Sequence, residues 1–245
     1  MPAASPLDNV RVVLCGTTHP GNIGAAARAM KTMGITALYL VQPRHFPDPE
    51  ANALATRADD VLASARVCDS LDAALIGTVF TVACTARSRD LSHEVLTPRQ
   101  AASRLIEESR QAPVALVFGQ EKHGLTAEEV SRCSVISMIP ANPDFTSLNL
   151  AAAVQIFAYE VRQALHDVVS YAQEGFDPAP YEDVELMFEH LERTLYDIEF
   201  LDVNRPKRLM QRLRRLFQRT RLERDEVSIL RGILTAAQKG RTKAS

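Results

Sequence analysis

The sequence predicts an α/β protein, with a mostly parallel sheet and flanking helices followed by a small all-α extension. Three observations carry this. Short runs, nearly continuous in apolar and β-branched residues, alternate with helical patterns up to about Leu165. Continuous apolar runs suit parallel strands buried on both faces. After a stretch rich in Gly and Pro, the apolar residues switch to helical spacing and keep it.

The strand candidates are Val10 to Cys15, Ala37 to Val41, Val79 to Cys84, Val114 to Phe118 and Val135 to Ile139, with Arg66 to Cys68 as a short sixth. A helix is expected from near Asn22 to Gly34, a residue suited to the left-handed cap. Thr97-Pro98-Arg99-Gln100 and Thr126-Ala127-Glu128-Glu129 both read as capping boxes. The next helix is expected from about Leu148 to Leu165. Its first turns are apolar almost all round, so it needs cover on more than one side, from the sheet and from a second subunit. Three amphipathic stripes follow: Val184, Met187, Leu191, Leu195 and Ile198; Leu209, Leu213, Leu216 and Phe217; Val227, Leu230, Ile233 and Ala237. The expected organisation is a domain over residues 1–168, a linker over 169–182 and a helical domain over 183–245, disordered from Lys239 onward.

The 245 residues and 46% hydrophobic content allow a sizeable core. A net charge of −2 looks unsuited to a nucleic-acid binder, but the average hides an asymmetry. From His166 to Val203 there are 11 Asp/Glu against one Arg; from Asn204 to Ser245 there are 13 Lys/Arg against 3 Asp/Glu. A polyanion feels the local charge. Cys15, Cys68, Cys84 and Cys133 form no Cys-x-x-Cys pair, and their spacing fits neither a disulfide framework nor a zinc site. His19, His45, His93, His123, His166 and His190 show no ligand spacing, so no metal is expected. Met1 to Asp8 do not read as a signal peptide, and no apolar run approaches the roughly 20 residues of a membrane span. A cytoplasmic protein is expected.

Three segments place small or polar residues where an apolar strand gives way to a helix. In open α/β sheets ligands bind there. In the first, Gly16, Gly21 and Gly24 follow a strand, yet the phosphate-cradling fingerprints fail: His19 precedes Gly21 by two, and Asn22 stands where a Walker loop needs Lys. Alone these glycines read as a tight turn. Arg28, six residues after Asn22 in an Ala-rich helix, reads equally as a site residue or a solvent-facing one. The second segment, Phe118 to Leu125, brackets Glu121 between Gly119 and Gly124; alone it reads as an ordinary strand-to-helix turn. The third, Ile139 to Asn149, carries two prolines and then Thr146 and Ser147, with Ser147 the candidate N-cap and Asn149 just inside the helix.

Together these segments resemble the three motifs of the SPOUT RNA methyltransferases, most closely the TrmJ family of tRNA ribose 2′-O-methyltransferases. The similarity covers roughly Val10 to Leu165. Ala29-Met30-Lys31-Thr32-Met33-Gly34, Ser147-Leu148-Asn149-Leu150-Ala151 and the strand end Cys84-Thr85-Ala86-Arg87-Ser88-Arg89 carry much of it. The resemblance implies a deep trefoil knot where the alternating pattern alone suggests an unknotted sheet, and a homodimer with its active sites at the subunit interface. It implies S-adenosylmethionine held by Cys84, Thr85, Ala86, Gly119, Glu121, Ile139, Thr146, Ser147 and Leu148, with Glu121 ordering its loop. It implies Arg28 as the reactive-site arginine, with Asn22, Ser147 and Asn149 beside it. The implied substrate is a cytidine or uridine 2′-hydroxyl at position 32 of the tRNA anticodon loop. The runner-up is the same chemistry on ribosomal RNA; a binding module without catalysis and an oxidoreductase fit less well. Arg208, Arg212, Arg215 and Arg219 recur at three- to four-residue spacing and are the expected RNA contacts, reinforced by Lys207, Arg214, Arg221 and Arg224. The competing reading is a solvated face paired with the acidic helix before it.

Overall fold

The computed structural model describes residues 5–86, 94–167, 177–201 and 209–242. They fall into two compact units, Met1–Tyr171 and Ala172–Ser245.

The first unit alternates strand and helix: β1 (Val10–Cys15), α1 (Pro20–Met33), β2 (Ala37–Val41), α2 (Pro49–Ala55), α3 (Asp59–Ala63), β3 (Arg66–Cys68), α4 (Leu71–Leu75), β4 (Phe80–Cys84), β5 (Val95–Leu96), α5 (Pro98–Ser109), β6 (Val114–Phe118), α6 (Ala127–Ser131), β7 (Val135–Ser137) and α7 (Leu150–Asp167). The strands form one sheet in the order β3-β2-β1-β6-β4-β7-β5, and every pairing is parallel. All carboxyl ends therefore lie along one edge. β4 and β6 are buried along their whole length, as continuous apolar runs require.

Several boundaries differ from the sequence expectation. β4 starts at Phe80 rather than Val79. β7 stops at Ser137, because Pro140 has no amide to extend a ladder and Ile139 precedes it. β5 has only two residues, too short to show a period. α1 begins at Pro20, whose missing amide costs nothing at the first helical position. Gly34 closes it at φ 83° and donates its amide to the carbonyls of Lys31 and Met30. Both capping boxes form, at Thr97 and Thr126.

α7 packs against both α1 and α5, and α1 packs against α2. The inward side of α7 buries Val154, Phe157, Ala158, Val161 and Ala164, while Ala152 and Tyr159 remain exposed. α1 and α2 approach closely at Gly24, where a methyl group would sit 1.9 Å from the carbonyl oxygen of Ala51.

The second unit holds α8 (Tyr181–Asp197), α9 (Leu209–Gln218) and α10 (Arg224–Thr242). Its core is Ala179, Met187, Phe188 and Val227, flanked by Leu191, Phe217, Leu222 and Leu230. Phe188 and Phe217 meet edge to face at 6.0 Å. α10 stays helical to Thr242, beyond the Lys239 at which disorder was expected; residues 243–245 lie outside the described residues.

Replacing Gly24 by Ala forces α1 and α2 apart. We expect a loss of about 1–3 kcal/mol of stability, visible as a lowered thermal midpoint, whereas Gly232→Ala, with open space around its position, leaves the midpoint unchanged or raised.

Candidate active site

At the carboxyl edge of the sheet, the connections after β4, β6 and β7 and the start of α7 enclose a cleft of about 750 Å³, its open mouth included. Cys84, Thr85 and Ala86 come from the first connection, Gly119 to Lys122 and Gly124 from the second, and Ile139 and Thr146 to Leu148 from the third. Phe118, Leu150, Ala153 and Phe157 supply an apolar wall. All nine positions expected to hold the cofactor border this one cleft.

Gly119 cannot be another residue without moving backbone: a Cβ there would lie 2.1 Å from the Leu125 amide nitrogen and 2.2 Å from the Gly124 carbonyl carbon. The connection after β6 folds back on itself, with the Gly124 amide donating to the Gln120 carbonyl at 2.7 Å. The missing Cβ at Gly119 is what lets this connection close on itself.

Glu121 does more than line the cleft. Its carboxylate accepts from the Thr18 amide (3.0 Å), the Thr18 hydroxyl (2.9 Å), the His19 amide (3.2 Å) and the Asn22 side-chain amide (3.0 Å). These donors belong to the β1–α1 connection and the first turn of α1. A carboxylate at a helix N-terminus is favoured by the exposed amides and the helix dipole. Burial raises the Glu121 carboxyl, but the hydrogen bonds from Asn22, Thr18 and His19 outweigh it and hold the group at about 2, below its usual 4.5.

The chain of contacts continues. Asn22 Oδ1 accepts from the Asn149 side-chain amide at 2.9 Å, and Asn149 Oδ1 accepts from the backbone amides of Ala151 (2.9 Å) and Ala152 (3.4 Å). Asn149, not Ser147, is therefore the cap of α7, and the helix begins two residues later than expected. The correction has a simple cause: a side-chain oxygen caps amides two and three residues ahead, and Ser147 stands too far back. Ser147 is exposed and lines the cleft.

Of the four expected catalytic positions, Asn22 and Asn149 are bonded to each other and Ser147 borders the cleft. Arg28 stands exposed on α1, outside the cleft lining, and its guanidinium has no hydrogen-bond or ionic partner among the described residues. Thr18 and His19 were missed by sequence reasoning, because three of their contacts come from backbone amides and the Thr18 hydroxyl finds its partner 103 residues away in sequence. The Cys84 thiol is raised well above its usual value by burial, so it stays protonated and unreactive. The described residues contain no group of His, Cys, Asp or Glu able to hold a metal, and no helix long and apolar enough to cross a membrane.

The expected RNA contacts divide. Arg208 lies outside the described residues, as do Arg87, Ser88, Arg89 and Lys207. Arg212 and Arg219 are exposed, though Arg219 falls past the end of α9. Arg215 is half-buried, and its Nε has no hydrogen-bond partner among the described residues. Arg214 is consumed internally: its guanidinium binds Glu185 through both terminal nitrogens and lies 4.4 Å from the Phe188 ring centre. Arg224 pairs with Asp177 and Asp183 at 3.5 Å each. For these two arginines, pairing with the acidic segment is the outcome.

Residues 9–159 match the family model described as the SpoU rRNA methylase family, and residues 182–245 match the C-terminal domain of the tRNA methyltransferase TrmJ. A protein of Pectobacterium atrosepticum called tRNA (cytidine/uridine-2′-O-)-methyltransferase TrmJ is 49% identical over 236 residues, covering 95% of this chain and 98% of its own. A Pseudomonas aeruginosa relative named as acting on cytidine, uridine and adenosine is 47% identical, covering 95% of each. The crystal structure of TrmJ from Z. mobilis has a TM-score of 0.82 at 36% identity, covering 92% of this chain and 97% of that one.

The depressed Glu121 carboxyl fixes a pH dependence. Because its folded value lies below the unfolded one, the stabilisation is present above about pH 4.5 and is lost as pH falls toward 2. Glu121→Gln should melt below the wild type at pH 7, and the gap between the two melting curves should close across that window.

Proposed function

The chain belongs to the SpoU methylase family and, within it, to the TrmJ tRNA methyltransferases; from this membership and the cleft geometry we propose that it transfers a methyl group from S-adenosylmethionine to a ribose 2′-hydroxyl of tRNA. The target is a cytidine or uridine at position 32 of the anticodon loop. An unpaired loop nucleotide can be splayed into a pocket without breaking a helix. The observation that carries the reading is the cleft formed by the connections after β4, β6 and β7, bonded through Glu121 to Asn22 and Asn149.

The cleft suits the cofactor's chemistry. Phe118, Ile139, Leu148 and Phe157 offer apolar surface for a flat base, and Thr85, Thr146 and Ser147 offer polar groups beside close-approaching backbone at Gly119. When bound, the cofactor supplies a methyl group on a positively charged sulfur, open to in-line attack. The chain's own residues then align the 2′-oxygen, whose proton passes to solvent water as the bond to the methyl group forms and the methyl–sulfur bond breaks. Arg28, a guanidinium that holds its proton, grips the phosphate of the target nucleotide and stabilises the developing oxyanion. Asn22, Ser147 and Asn149 hold that surface in register with the cleft.

In this reading residues 1–168 perform transfer, 169–182 link, and 183–245 bind RNA, chiefly through Arg212 and Arg219. The protein acts in the cytoplasm as a homodimer with the family's trefoil knot. The exposed side of α7, with Ala152 and Tyr159, and the exposed Arg28 on neighbouring α1 fit a second subunit completing each site.

The test is transfer of labelled methyl groups to unmodified tRNA transcripts, with mass mapping of the product. A 2′-O-methyl pyrimidine at position 32 is expected; methylation of ribosomal RNA alone would move the assignment to that substrate. Arg28→Lys, which lacks the planar fork, should lower kcat/KM about 100-fold with cofactor affinity intact. Near-full turnover would remove both roles given to Arg28.

A further inference from the structure

The connection from β7 to α7 carries a feature the transfer chemistry above does not use. Phe145 is 76% exposed, more than any other exposed large apolar side chain among the described residues. Its loop is held by its own bonds: the Phe145 amide donates to the Asn142 carbonyl at 2.9 Å, and the Asp144 amide to Asn142 Oδ1 at 3.1 Å. The turn fixes the backbone that carries the ring, and the ring itself stands in solvent.

The surroundings indicate what meets it. Asn142, Pro143, Asp144 and Thr146 are all exposed around it, so the ring stands alone in a polar loop. A protein partner would be met by a contiguous apolar patch. Thr146 and Ser147, the next two residues, line the cleft. Consecutive Cα atoms are about 3.8 Å apart, so the backbone of Phe145 adjoins the cleft lining that begins at Thr146. Single-stranded RNA is read by stacking splayed bases on aromatic rings.

We infer that Phe145 is the platform on which the base of the target nucleotide stacks while its 2′-oxygen enters the cleft. The inference rests on the tRNA methyltransferase reading. Stacking uses the face common to every base, so this contact aids positioning without selecting among bases.

The test compares the full-length wild type with Phe145→Ala, Phe145→Leu and Phe145→Tyr, assaying methyl transfer to a tRNA transcript at fixed salt. Phe145→Ala should raise KM for tRNA roughly 5- to 150-fold, the range of one lost stacking contact. Phe145→Tyr should stay within about twofold of wild type, and Phe145→Leu, apolar but not planar, should resemble Ala. Affinity for S-adenosylmethionine, the thermal midpoint and the solution mass should not change. An unchanged KM in Phe145→Ala, or a Leu variant equal to wild type, would overturn the inference. So would a change in solution mass, which would make Phe145 a contact between two copies. A wild type inactive on every tRNA would overturn the parent reading and this inference with it. An active wild type with an unaffected Phe145→Ala would overturn this inference alone.

Discussion

The alignment of the cleft depends on one hydrogen-bonded relay: the Glu121 carboxylate holds the first turn of α1, Asn22 in that turn holds Asn149, and Asn149 caps α7. Three connections from three strands meet here, although Asn22 and Asn149 are 127 residues apart in sequence. Charge-assisted hydrogen bonds are shorter and stronger than neutral ones. Glu121 therefore fixes the β1–α1 connection against the β6 connection more firmly than apolar contact could. The two asparagines then transmit that alignment to the segment bearing Ser147. Each asparagine uses both ends of its amide, one as donor and one as acceptor, so neither is left unsatisfied.

The sheet makes this meeting possible. Since every pairing is parallel, the connections that end β1, β4, β6 and β7 emerge on the same side. The order β1-β6-β4-β7 puts these four sequence-distant connections next to one another. Glycines supply the closeness: Gly24 lets α2 rest on α1, and Gly119 lets the β6 connection fold against its own return. A side chain at either point would widen the edge and misalign the cleft. The second unit solves a different problem. Its acidic and basic stretches partly neutralise each other inside the unit, with Arg214 clamped between Glu185 and the Phe188 ring, so the basic charge offered to a partner is smaller than the composition suggests.

Much of the fold was legible in the sequence. Five apolar runs and one short one are strands at nearly the stated bounds, since a strand buried on both faces has no alternation to blur it. Both capping boxes and the Gly34 cap were readable because their chemistry is local. β5 was not, being two residues long. The positions around the cleft were legible through the resemblance, not through spacing: turns at Gly119 or Gly16 look ordinary until the sheet brings them together. The cap at Asn149 was misplaced by two residues because Ser and Asn are both strong capping residues, and only the structure shows that the helix starts at Leu150, where the Asn149 oxygen reaches the Ala151 and Ala152 amides. The amide donors at Thr18 and His19 left no signal, because backbone amides carry no residue identity, and the Thr18 hydroxyl left none because its partner is remote in sequence. The pairing of Arg214 and Arg224 with acidic partners was present in the sequence as the competing reading of the charge run, but periodicity, which shows which cations share a face, could not say which arginines it would take.

The central claim is that Asn22 and Asn149 act as one unit in aligning the site. A double-mutant cycle tests it directly, with kcat/KM for methyl transfer to tRNA measured for Asn22→Ala, Asn149→Ala and the pair. Residues bonded to each other are coupled, so the double variant should be little worse than the poorer single one. Losses that simply add would contradict the account, because they would mean the two side chains contribute separately and the bond between them does not join the segments.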